Sequence, residues 1–159
     1  MRFATLLFAI LPGLAAAMPH DAEVAAVRAL YALYATEAVI DATDSPTLAT
    51  APRAVLRQHF TDELVRLWLR ERDCVQRTKE ICRLDFSPLW DSQDPVGTSV
   101  KLGWDAGQSR VIATLRRGDE STRVLTYSLV KDAAGWRIAD IGYGAGRSTL
   151  KQLLAAPPP

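Results

Sequence analysis

Residues 99–143 read SVKLGWDAGQSRVIATLRRGDESTRVLTYSLVKDAAGWRIADIGY, and their dominant period is two. Three alternating segments rich in β-branched residues cover 99–104, 109–116 and 122–131. Side chains of a strand point to opposite faces in turn, so this alternation predicts strands with one buried face. Asp105-Ala106-Gly107 and Gly118-Asp119-Glu120 separate them, and short glycine-bearing links of this kind close antiparallel hairpins. A further turn over 132–135 leads into a fourth strand over 136–143. There the apolar face switches between Ile138 and Ile141, an odd spacing that predicts a bulge. Gly144 and Gly146 end the run.

Upstream the period changes to that of a helix. Val24, Val27, Leu30, Tyr31, Tyr34 and Ala38 predict a helix from Ala22 to about Ile40, with Asp21 as its N-cap. Residues 41–52 are rich in Thr, Asp, Ser and Pro and read as a loop. A second helix is expected from Pro52 to about Arg72, with Leu56, Phe60, Leu64, Leu67 and Trp68 as its apolar stripe. Thr61-Asp62 could equally cap a new helix and split it in two. The bent stretch LDFSPLWDSQDP follows over 84–95, and a short helix over 148–155 precedes the terminal prolines. Helices followed by an antiparallel meander predict an α+β fold, with helices on one face of a curved sheet of about four strands.

A chain of 159 residues supports one core, expected over 22–155 of a single 18–159 domain. Hydrophobic residues at 48% and charged residues at 23% exclude a disordered chain. Nineteen basic residues face 18 acidic ones, and without Arg2 the balance is even. With no basic stripe either, nucleic acid is not the expected partner.

Met1-Arg2, the apolar run 3–11, Pro12-Gly13 and Leu14-Ala15-Ala16-Ala17 form a tripartite signal peptide over 1–17, with cleavage expected after Ala17. The apolar run is too short to span a bilayer, which takes about 20 residues. The first cysteine, Cys74, is far from the cut, so neither a lipid nor a membrane anchor is expected in the mature chain. Cys74 and Cys82 bracket CVQRTKEIC, and an even pair in an exported chain reads as a structural disulfide. Their spacing does not fit a redox motif, and His20 and His59 are too few to complete a zinc site. The expected location is the periplasm, with secretion as the alternative.

No catalytic residue, cofactor or metal is assigned. His59 lies four residues before Glu63 and is expected to pair with it, while His20 sits near the new N-terminus. Neither histidine has a Ser or Cys nucleophile at an interpretable spacing. Asp85, Asp91 and Asp94 lack the alternate-residue pattern and turn glycine of a calcium loop, and are read as turn caps. Trp90, Asp91, Gln93 and Asp94 are the candidate binding residues, because an aromatic beside acids in a loop suits a protein or sugar contact. Trp68, Trp104, Trp136, Tyr127 and Tyr143 are expected in the core or lining a cavity. The glycine-rich run 142–146 follows a strand of an antiparallel sheet, which is the wrong setting for a dinucleotide loop.

Leu84-Asp85-Phe86-Ser87-Pro88-Leu89 followed by Ser92-Gln93-Asp94 carries one resemblance. Leu129-Val130-Lys131, Gly135-Trp136-Arg137-Ile138, Asp140-Ile141 and Tyr143 carry its second part. Over about residues 24–154 the chain resembles the exported bacterial proteins grouped as domain of unknown function 3828, in the nuclear-transport-factor-2-like, cystatin-like superfamily. The resemblance implies a sheet curved around helices with a cavity or groove at the open end of the cone. It implies no reaction, since the superfamily hosts isomerases, dehydratases, ligand binders and interaction modules. The leading expectation is a non-enzymatic exported module that contacts another envelope protein or a toxin, in an inhibitor or immunity role. A small apolar ligand in the cone cavity is the alternative. A cone-type isomerase or dehydratase comes third and requires a buried Asp or His of shifted pKa beside Tyr127 or Tyr143.

Overall fold

The computed structural model describes residues 19–39 and 46–157. The expected signal peptide, residues 41–45 of the 41–52 loop and the last two prolines lie outside the described residues. Alternation in the second half produces four strands: β1 (Ser99–Asp105), β2 (Arg110–Arg116), β3 (Thr122–Asp132) and β4 (Gly135–Gly142). They pair antiparallel in the order β1-β2-β3-β4, an open meander with β1 and β4 at its edges. Each connecting turn uses one device. The carboxylates of Asp105, Asp119 and Asp132 accept from the backbone N–H groups of Gly107, Ser121 and Ala134, each two residues on.

Ser128 pairs with Asp140 and Leu129 with Ile138, which leaves Ala139 as the extra residue of a bulge. The bulge brings Ile138, Ile141 and Tyr143 to the same buried side despite their uneven spacing. Val111, Ala113 and Leu115 of β2 join them with Leu125 and Tyr127 of β3, while the residues between are only half-buried. The helices cover this face, so the fold is α+β with N-terminal helices, a four-stranded antiparallel sheet and a short C-terminal helix.

The first helix, α1 (Asp21–Leu33), is shorter than its apolar spacing predicts, and a 3₁₀ turn over Ala35–Ala38 continues it. Its N-cap position belongs to His20 and not to Asp21. His20 adopts left-handed backbone because its ring stacks on Trp104 at 3.8 Å and its Nδ1 lies 3.0 Å from Glu23. The second helical stretch is split into α2 (Arg53–His59) and α3 (Asp62–Thr78). Thr61 caps α3 by accepting from Leu64 N–H, while its own N–H donates to the Ile138 carbonyl at 3.0 Å. Pro52 stands just before α2, at its N-cap position.

α3 runs past Arg72 because its buried stripe continues through Glu71 and Cys74, and left-handed Lys79 stops it. Cys74 and Cys82 are disulfide-bonded, with Cα atoms 6.3 Å apart. Closing so short a loop stabilises the fold by roughly 2–3 kcal/mol on a chain-entropy account. Thr149 and Gln152 form a reciprocal capping box at the start of α4 (Leu150–Ala155). Among the described residues no helix is long and apolar enough to cross a membrane.

Candidate functional site

The segment between α3 and β1 carries the residues singled out in the sequence, and the core grips it from below. Tyr31 of α1 donates its hydroxyl to the Leu89 carbonyl at 2.8 Å and lies 2.7 Å from the Tyr127 hydroxyl. Tyr143 donates to the Pro88 carbonyl at 3.3 Å. Glu37 ties the same segment sideways, accepting from the Ser87 hydroxyl at 2.7 Å and from Leu48 N–H at 2.9 Å. Burial raises the pKa of all three phenols, so each remains a protonated donor at physiological pH.

Trp90 is 2% exposed, edge-on to Tyr31 at 5.2 Å, and part of the hydrophobic core. The expected open contact surface at Trp90 is therefore corrected: its ring is enclosed because α1 and the sheet close over the loop. Asp91 has left-handed backbone and a carboxylate only 4% exposed. Its two oxygens accept from Arg147 in a bidentate pair at 2.6 and 2.7 Å. Gln93 and Asp94 remain exposed. The Gln93 amide donates to Asp85 at 3.4 Å, and Asp94 accepts from Val96 N–H at 3.2 Å, which is turn-holding geometry. The four candidates thus share one loop but divide between core and rim.

A different concavity lies between α3 and the inner side of that loop. It encloses about 790 Å³, with Trp68, Leu84, Phe86, Pro52 and Pro88 among its apolar lining. Val75 and Ile81, at the two ends of the loop that the disulfide closes, belong to the same lining and are 39% and 64% exposed. Arg72, Gln76, Lys79 and Glu80 supply charged and polar groups around them. Arg72 reaches across to the Ala51 carbonyl at 2.7 Å, and its Nε has no hydrogen-bond partner among the described residues. Sequence reasoning missed this groove. Its only local signal was Val75 and Ile81, two apolar residues in an otherwise polar cysteine loop.

The expected pair between His59 and Glu63 does not form. The break at Phe60-Thr61 puts them on different helices, and Glu63 meets Lys151 at 2.7 Å instead. Burial, reinforced by the Arg137 guanidinium, holds His59 below the ordinary imidazole value of 6.5. The unfolded chain therefore takes up this proton first as pH falls. The stabilisation by neutral His59 is complete above about 6.5 and is lost as pH drops towards the depressed folded value. Urea midpoints should fall between about pH 7.5 and 5.5, and His59→Gln should flatten that decline. An equal decline in the variant would assign it to other groups.

Beside Tyr143, the nearby acids are Asp91, held by Arg147, and Asp140, whose Oδ1 accepts from Ile141 and Lys151 N–H at 2.8 and 2.9 Å. Tyr127 is fully enclosed against Tyr31. Among the described residues no three His, Cys, Asp or Glu side chains converge to hold a metal. No family model matches the chain, and no curated protein or solved structure is significantly similar to it.

Proposed function

We propose that the chain is a non-enzymatic, exported binding domain that holds another envelope protein through the groove between α3 and the 84–88 segment. In this reading it works in the periplasm, in an inhibitor or immunity role, as its likeness to exported domains of unknown function 3828 would suggest. One observation carries the proposal: an apolar groove bounded by exposed Val75 and Ile81 and surrounded by charges of both signs. An apolar centre within a polar rim is the anatomy of a protein contact. The disulfide fixes the Cys82 end of the loop to α3 and so limits how far that lining can collapse.

The groove's volume also suits a small apolar ligand, since such sites run from about 300 to 1,000 Å³. That is the second reading. The two separate in native mass spectrometry of the protein recovered from its own host's periplasm. A second protein in fixed ratio is expected, and Ile81→Asp, which places a charge on an exposed apolar side chain, should weaken that complex at least ~10-fold, about 1.4 kcal/mol. Its melting temperature should not change. A retained partner in the variant would remove the groove from the contact. An extra mass of small-molecule size in the parent protein would favour the ligand reading, and a bare domain would overturn both.

A further inference from the structure

Three arginines from separate parts of the chain gather on one buried aspartate. Arg147, between β4 and α4, pairs with both Asp91 oxygens. Arg123 of β3 brings its Nε to 3.9 Å from the Oδ2 that Arg147 also uses. Arg117, just past β2, donates from Nη2 to the Asp91 backbone carbonyl at 2.8 Å. We propose that Arg117, Arg123 and Arg147, held in place by Asp91, form a binding site for a phosphate monoester.

Charge is the first support. The Asp91 side chain is 4% exposed, so its carboxylate is withdrawn, whereas the side chains of Arg123 and Arg147 are 56% and 45% exposed. Asp119 acts on Arg117, yet it is fully exposed and its carboxylate is turned to Ser121 N–H at 2.9 Å. Three cations against those two carboxylates leave the cluster positive. Pre-organisation is the second support. Tyr143 lies under the Arg147 guanidinium at 5.3 Å, and the bidentate pair fixes the plane of that fork. Arg117 is fixed beside them by its Nη2 bond to the Asp91 carbonyl, while its Nε is buried with no hydrogen-bond partner among the described residues.

Oxygen count then selects the ligand. A carboxylate has two oxygens, and one guanidinium fork engages both, as Arg147 does those of Asp91. A phosphate monoester carries three terminal oxygens and about −1.5 to −2 charges at pH 7, enough to bridge both exposed guanidiniums. The site does not depend on the groove, so failure of either assignment leaves the other standing.

The test follows the arginine Nε–H signals of the mature protein by nitrogen–proton NMR, with inorganic phosphate replacing chloride at constant ionic strength. Saturable shifts at Arg123 and Arg147 are expected, with binding weakened at least ~10-fold in Arg123→Gln. Arg123 is the choice because it is exposed and makes only the long contact to Asp91. Shifts that never saturate, that chloride reproduces, or that persist unchanged in Arg123→Gln would overturn the proposal. Once saturation is seen, the source is read by co-sedimentation with phosphatidylcholine vesicles containing phosphatidate. Pelleting with them, lost in Arg123→Gln, identifies a lipid phosphate. Saturation by glycerol phosphate without pelleting identifies a soluble ester, and both results uphold the site.

Discussion

Glu71→Ala is expected to cost about 3–5 kcal/mol, the range for breaking a buried ion pair by removing one partner. Glu71 is 6% exposed on α3, and its Oε2 lies 2.9 Å from Arg83 Nη1. Its Oε1 accepts from the backbone N–H groups of Arg83 and Leu84 at 2.7 and 3.1 Å. Alanine would leave a guanidinium of 12% exposure without its carboxylate, and two amides without their acceptor. For a domain of this size the melting temperature should fall by roughly 10–15 °C. Glu71→Gln retains an acceptor for the amides and should lose about half as much. Thermal denaturation followed by circular dichroism checks both. A loss below about 1 kcal/mol in the alanine variant would mean the pair behaves as a solvent-screened surface bridge.

Trp90→Ala should be equally damaging, about 3–5 kcal/mol, because truncating a buried aromatic leaves a cavity the core cannot fully close. Trp90 Nε1 has no hydrogen-bond partner among the described residues, so Trp90→Phe gives up little polar interaction and should cost less than half as much. Urea unfolding distinguishes them. A near-neutral Trp90→Ala would mean the ring is not part of the core and would reopen it as a contact residue. Otherwise, lost partner capture in Trp90→Ala would report unfolding, whereas Ile81→Asp acts from an exposed position.

The meander was legible because its signals are local. Alternation fixes which side chains face inward, the aspartate-bearing turns set the hairpins, and the odd spacing of Ile138 and Ile141 announces the bulge at Ala139. The disulfide was legible for a different reason: two cysteines leave one intramolecular pairing. What could not be read depends on partners distant in sequence. The N-cap of α1 went to His20 because of Trp104, and the helix break at Thr61 is completed by the Ile138 carbonyl. An i,i+4 pair such as His59 and Glu63 holds only within one helix, so that same break cancelled it. Trp90 is followed by Asp91, Ser92, Gln93 and Asp94 and read as a contact residue, yet it is buried, edge-on to Tyr31 from α1. The arginines around Asp91 come from β3 and two separate connections, and no local pattern announces such a meeting.

The break between α2 and α3 also bears on how copies of this protein avoid one another. Phe60 forms a parallel bridge with Ile138, so a piece of the chain's own backbone occupies part of the outer edge of β4. An open sheet edge invites another molecule to add a strand, the first step towards stacked aggregates. At this edge an incoming strand would meet Phe60-Thr61 before it could run the length of β4. Among the described residues the opposite edge, Ser99–Asp105, has no such cover from a neighbouring strand, although Lys101 places a charge along it. In a crowded compartment, strand-to-strand growth is thereby hindered at β4, and the helix break that ends α2 doubles as a guard on that edge.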